Sequence, residues 1–362
     1  MLENRLALSE MDLQLWLVSC QRSQRFDERE RLDSQRVNKK KLLYLGMLYD
    51  YGDAARGWSF EERNFYHPLK RFSERKGWEI IRFDFMQLGR KHGVQRMSEM
   101  LWETVKREDP RYLVSILFNP EHDPLPNILH RISSETNTTT VNWFCDDHWR
   151  FENYSRFVAG NFHFAVTTDS QAISKYNAIG MKGRIIKSQW ACNHDLYRPV
   201  RCDRSIEVSF VGQPHGNRPQ VAQMLWSHGI QLRVFGFGWQ GAPRLPFHEM
   251  IRVFGRSKVN LNLSNASVDD THQQIKGRNF EIPGTGSFQL TSQADNLEEY
   301  YTDGKEIVIS QSPEDMVDRI RYYMKHDSER DAIATAGYQR TIREHTWEKR
   351  WRDIFNQIDA RC

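Results

Sequence analysis

From Leu42 onward the apolar residues come in short continuous runs, and the stretches between those runs have helical spacing. Leu42 to Leu45 is the first run and ends at Gly46. Further runs predict strands at 78–85, 112–118, 140–144, 162–167 and 184–190. Between them the spacing predicts helices over 60–76, 93–108, 124–135 and 170–179. Met97, Leu101 and Val105 share one face of the second helix, and a proline opens the third, where its missing N–H costs nothing. The run from Leu113 to Phe118 is too continuous for a sheet with one wet face. Such runs, alternating with helices, indicate βαβ units and a parallel sheet covered on both sides.

The pattern breaks between Tyr197 and Arg204, which reads as a linker, and then restarts. Strands are predicted at 206–211, 231–235, 259–263, 288–291 and 306–309, with helices over 219–228, 247–256 and 272–282. Residues 313–358 read as mostly helical, with a break at Gly337. Ahead of all this, residues 1–40 form an appendage. Its start is leucine-rich, and Arg22 to Lys41 is charged in both signs, which suits a solvated helix or a partner-binding one. The chain therefore divides into the appendage, a first α/β domain over 41–198, a second over 199–330 and helices over 331–362.

Composition removes classes of protein without choosing among soluble enzymes. The 362 residues suit two domains of average size. Aromatic residues make up 12% of the chain, which argues against disorder. The net charge of +4 is too small for a dedicated nucleic-acid coat. No apolar run approaches the roughly 20 residues of a membrane span. Glu3, Arg5, Glu10 and Asp12 interrupt any signal-like start, so the expected location is cytoplasmic. The Leu-rich start and the charged stretch before Leu42 are the visible candidates for peripheral membrane contact. Cys20, Cys145, Cys192, Cys202 and Cys362 form no Cys-x-x-Cys pair, so reduced thiols and no structural metal are expected.

In open parallel sheets ligands sit beyond the carboxyl ends of the strands, which directs attention to the loops. Val211-Gly212-Gln213-Pro214-His215-Gly216-Asn217-Arg218 is a strand end, a glycine-containing loop and a basic residue before a helix. It suits a phosphate, bound by helix-start amides and a guanidinium, or an ordinary turn. Gly236-Phe237-Gly238-Trp239 has too few glycines for a dinucleotide fingerprint, and no Gly-Lys-Ser/Thr occurs. The densest constellation is Gln274 to Leu290. There Lys276 and Arg278 offer charge for a diphosphate, Glu281 offers a carboxylate for ribose hydroxyls, and Gly284 and Gly286 allow close backbone approach. A solvated helix would account for the same residues.

Lys276-Gly277-Arg278-Asn279-Phe280-Glu281-Ile282-Pro283-Gly284 resembles the signature of the CgeB-like glycosyltransferases of the GT-B superfamily (glycosyl transferases group 1). The resemblance extends to Val234–Trp239, Lys258–Asn262, Ala336–Thr341 with Glu344–Thr346, and in the first half to Gly57–Glu61 and Trp143–Asp147. It implies two Rossmann-like domains facing across a cleft, with the C-terminal helices crossing back to the first. The second domain would hold a nucleotide-sugar donor through Gly212, Arg218, Gly236, Gly238, Lys276, Arg278, Glu281, Gly284 and Gly286. The acceptor would enter near Gly46, Tyr51, Gly52, Asp146 and Asp147.

The resemblance thus implies transfer of a sugar to a hydroxyl of a glycan, lipid, protein or modified nucleic acid, with the donor as co-substrate and no metal or other cofactor. Lys276 and Arg278 would stabilise the leaving diphosphate. Asp146 and Asp147 are the candidates for a base, or for capping the helix that follows them. Related retaining enzymes carry Glu-x7-Glu, and Gln273 stands at the first of those positions here, so retention is only the preferred outcome. An epimerase on the same fold and a catalytically silent nucleotide-sugar-binding scaffold are the rival readings.

Overall fold

The computed structural model describes residues 40–242, 244–266 and 272–362. The appendage assigned to residues 1–40 therefore lies outside the described residues, apart from its last. Among the described residues the strands form two parallel sheets. The first contains β1 (Lys41–Gly46), β2 (Glu79–Asp84), β3 (Tyr112–Ser115), β4 (Thr139–Phe144), β5 (Phe164–Thr167) and β6 (Ile185–Lys187), in the order β2-β1-β3-β4-β5-β6. The second contains β7 (Ile206–Val211), β8 (Leu232–Phe235), β9 (Ser257–Asn262), β10 (Gln289–Ser292) and β11 (Val308–Ser310), in the order β11-β10-β9-β7-β8. Register is parallel throughout, with Leu43 opposite Leu113 and Phe210 opposite Leu261.

Both sheets are covered on both faces, as the continuous apolar runs require. In the first, α1 (His67–Arg75) lies over one face, while α2 (Phe85–Glu108) and α3 (Pro126–Glu135) lie over the other. The short helix α4 (Asp147–Arg150) follows β4, and α5 (Ala172–Tyr176) follows β5. The second sheet is flanked by α6 (Arg218–Ser227), α7 (Phe247–Arg256), α8 (Arg278–Gly284), α9 (Pro313–Lys325) and α10 (Asp327–Glu344). The last helix, α11 (Trp347–Asp359), leaves the second domain and packs on the first. Trp347 meets Phe65 at 4.3 Å between ring centroids, and Trp351 and Phe355 extend the same aromatic layer.

The chain crosses between the sheets twice, and the crossings run side by side. Cys192 N–H donates to His345 C=O at 2.8 Å, and Trp347 N–H donates back to Cys192 C=O at 3.1 Å. Gly284 of α8 lets the first crossing lie close against the second domain, because a Cβ there would fall 2.3 Å from Cys192 Sγ.

Three expectations need correction. The helix over 93–108 begins at Phe85, because the Asp84 carboxylate accepts from Gln87 N–H at 2.9 Å and caps it; Gly93, at φ 80°, marks an internal kink. The helix over 272–282 begins at Arg278, because residues 273–274 are drawn out as an extended segment, with Gln274 N–H donating to Ser264 C=O at 2.9 Å. Gly337 does not break a helix. It lies inside α10, where a Cβ would fall 2.2 Å from Glu306 O, so it serves close packing.

Candidate functional site

In each sheet the strand order reverses once, between β1 and β3 and between β7 and β9. A reversal opens a crevice at the carboxyl ends of the strands. Arg218 sits at the crevice of the second sheet. Its Nη1 donates to Gln213 C=O after β7 at 3.0 Å, and its Nη2 donates to Leu263 C=O after β9 at 3.2 Å. Nε reaches Asn265 Oδ1 at 3.4 Å, and the guanidinium lies 5.5 Å from the centroid of the Phe210 ring. The side chain is buried, which together with Arg278 lowers its pKa to about 10. Among the described residues no carboxylate pairs with it.

The glycines of this region build the crevice wall. Gly236 has φ 140°, and a Cβ there would fall 2.3 Å from Gly212 O; Gly238 approaches Pro214. Gly212 C=O accepts from Trp239 Nε1 at 2.8 Å, which fixes the loop after β8 against the loop after β7. Gly284 and Gly286 point elsewhere, toward Cys192 and Pro199 of the first crossing. Their place in the fold explains them as packing glycines.

Lys276 precedes α8, and its backbone N–H is held by Asn279 Oδ1 at 2.9 Å. Burial, reinforced by Arg218, lowers its ammonium to about 8, against the pull of Asp146. Arg278 donates to the Glu281 carboxylate, to Val211 C=O and to Met250 Sδ. Burial lowers its pKa too. Glu281 is fully buried and accepts from Tyr197 Oη at 2.6 Å. Its carboxylate thus anchors Arg278 and Tyr197 and is closed to solvent.

The two aspartates separate. Asp147 is completely buried in the first domain, where its carboxylate accepts from Thr167 Oγ1 at 2.6 Å and Tyr176 Oη at 3.0 Å, and burial raises its pKa to about 7. This network tethers the start of α4 to β5 and α5, so Asp147 does not face the cleft. Asp146 does. It holds a left-handed conformation, φ 59°, and its neighbours are Lys276 and Gln274 of the second domain and Arg150 of the first. Burial raises its pKa, opposed first by Lys276. Gly46 ends β1 beneath the Tyr44 ring. Tyr51, another left-handed residue, is 45% exposed, with its ring against Phe118 and the Arg56 guanidinium 5.0 Å from its centroid. Gly52 C=O accepts from Arg90 at 3.1 Å.

Several groups at the cleft escaped the sequence reading. Glu61 ends the Gly57–Glu61 segment and is raised to about 7 by burial, against its own backbone amide and with help from Asp50. Its segment was visible as a motif, but no spacing rule gave the carboxylate a role. Asp50 bridges to Arg244 of the second domain at 3.3 Å, and the His148 ring stacks on His272 across the cleft at 5.1 Å. Tyr197, the partner of Glu281, lies in the segment taken for a linker.

Residues 218–356 match a family model described as glycosyl transferase-like. No curated protein matches the sequence significantly. Among solved structures, the chain superposes on a glycosyltransferase from Rickettsia africae with a TM-score of 0.57 and 10% identity, over 90% of this chain and 99% of that one. A sucrose-phosphate synthase from Thermosynechococcus elongatus gives 0.61 and 9%, over 90% and 100%. Anabaena HepE, in complex with UDP and glucose, gives 0.58 and 10%, over 89% and 100%. The fold is GT-B, and the glycosyl transferase-like segment spans most of its second half.

Proposed function

We propose that the protein is a glycosyltransferase that takes a sugar from a nucleoside diphosphate held by its second domain and passes it to a hydroxyl acceptor presented by its first. The reading fits the CgeB-like resemblance, and HepE supplies a precedent for a uridine nucleotide on the same fold. The observation that carries it is the pair Arg218 and Lys276. The buried Arg218 guanidinium and the half-buried Lys276 ammonium that it crowds meet at the crevice of the second sheet, and among the described residues neither forms a salt bridge, although Asp146 pulls on Lys276 from the first domain. Asp146 offsets part of the Lys276 charge and no carboxylate among the described residues offsets Arg218, so the remaining positive charge is explained by an anion that completes the site.

In the reaction the bond between C1 of the sugar and the β-phosphate oxygen breaks, and a bond from C1 to the acceptor oxygen forms. Negative charge grows on the departing diphosphate. Arg218 and Lys276 are held in place before that charge appears, which is the arrangement that lowers a barrier most. Asp146 faces Lys276 from the acceptor side, where it orients the ammonium and takes the proton that the incoming hydroxyl gives up as its oxygen bonds to C1. Arg278, fixed by Glu281, borders the same pocket, and Gly212, Gly236 and Gly238 let the backbone come close to the nucleotide. A ribose contact from Glu281 requires Tyr197 or Arg278 to release it. Retention, weakly preferred although Gln273 breaks the Glu-x7-Glu pattern, is read by comparing the anomeric configuration of donor and product by NMR.

Two results are expected. Protein cations meet the charge of the diphosphate, so turnover should persist in excess EDTA; complete loss, restored by a divalent ion, would contradict this assignment. The second concerns pH. Lys276 has a lowered pKa, so it gives up its proton as pH rises through about 8, and with it the charge that attracts the diphosphate. The value of kcat/KM for the donor should therefore fall above about pH 8, and this limb should disappear in Lys276→Gln. An unchanged limb in the variant would remove Lys276 from the pocket.

A further inference from the structure

On the outer side of the molecule, away from the donor crevice, lies a cavity of about 460 Å³. Its walls come from three parts of the chain. The first domain gives Phe72, Arg75 and Lys76 from α1 and its end. The first crossing gives His194 and the second gives Thr346, while α10 and α11 add Ile342, Lys349 and Arg352.

The cavity holds more positive charge than its one carboxylate balances. Glu348 is already engaged by Arg71 at 2.9 Å and by Arg75. Lys76 and Lys349 form no ion pair among the described residues, and Arg352 has only its neighbour Asp353, at 3.5 Å. The Lys349 ammonium is lowered by burial and then by Arg352, with Glu344 and Asp353 pulling the other way. His194 Nδ1 is buried and has no hydrogen-bond partner among the described residues. Thr346 is the N-cap of the thirteen-residue α11 and makes no side-chain cap, so the positive end of that helix dipole also opens here. His194, Asp195 and Glu348 do place ligand atoms within 4.8 Å of one another, as a metal site would. Arg71 and Arg75 already neutralise both carboxylates, however, and the surplus around them is cationic.

We propose that this cavity is a second binding site, for a small organic molecule carrying two or more negative charges, such as a phosphorylated metabolite. The cations and the start of α11 take the anionic groups, and Phe72 and Ile342 take the body. The volume suits a small molecule rather than a single ion. The site touches both crossings at the point where Cys192 and Trp347 exchange backbone hydrogen bonds with the opposite crossing. An occupant that bridges His194 and Thr346 ties the two crossings together and so biases the angle between the domains. The proposal does not depend on the identity of the donor.

The probe is sodium tripolyphosphate, titrated by calorimetry at fixed ionic strength. Lys276→Ala serves as the parent, which suppresses binding in the donor crevice. Adding Lys349→Ala and Arg352→Ala should weaken the remaining binding at least tenfold; affinity equal to the parent's overturns the site. Lys76→Glu, at an exposed helix end, is a second variant in which packing is undisturbed, and it should weaken binding in the same direction. Hydrogen exchange supplies the readout for the hinge. Saturating tripolyphosphate should slow the Cys192 and Trp347 amides in the parent and leave them unchanged in the double variant. Unchanged exchange in the saturated parent would refute the bracing of the crossings.

Discussion

Replacing Lys276 with alanine is expected to lower kcat by about 10²- to 10³-fold, the usual cost of losing one preorganised group that meets transition-state charge. The fold should survive, because Lys276 makes no ion pair among the described residues and its backbone tie to Asn279 Oδ1 does not need the side chain. The thermal midpoint should stay the same or rise, since a half-buried cation crowded by Arg218 is removed. Release of nucleoside diphosphate under saturating donor measures the first effect, and a melting curve the second. A loss of less than about threefold in kcat, with the fold intact, would take the ammonium out of the reaction. Arginine at this position should recover part of the rate, because charge matters more here than shape.

Glu281→Ala is expected to act on the fold as well as the site. It strands the Arg278 guanidinium and the Tyr197 hydroxyl in a buried place, and breaking one side of such a pair costs about 3–5 kcal/mol. Chemical denaturation should show that loss. Glu281→Gln keeps an acceptor for Tyr197 and should lose less. Both variants should also lose most of their nucleotide affinity, because Arg278 is no longer held toward the pocket. If Glu281→Ala unfolds at the parent midpoint and still binds nucleotide, both the anchoring role and the ribose role are wrong.

The difference between what the sequence predicts and what the structure holds follows a pattern. The alternation of apolar runs and helical spacing located both sheets, because strands buried on two faces cannot hide their composition. Helix starts were misplaced where a side chain decided them, as Asp84 does for α2. Gly337 misled because a glycine marks either a break or a close approach, and only the position of Glu306 O distinguishes them. At the site, Arg218, Lys276, Gly212 and Gly236 were legible from the loops after strands. Adjacent residues were harder. Asp146 and Asp147 differ only in the direction each carboxylate takes, and the left-handed backbone of Asp146 decides it. Glu281 looked like a free carboxylate because its partner Tyr197 is 84 positions away. The Asp50–Arg244 bridge depends on the two domains meeting, which no local pattern reports.

The central claim is that Arg218 and Lys276 of the second domain serve a nucleotide sugar. The most direct test incubates the purified protein with a panel of nucleotide sugars, UDP-glucose among them, without acceptor. Binding is followed by thermal shift, and slow hydrolysis by release of the nucleoside diphosphate. At least one donor should raise the melting midpoint in a concentration-dependent way and be hydrolysed slowly, with both effects lost in Lys276→Ala. No response to any nucleotide sugar, or an equal response in the variant, would contradict the account.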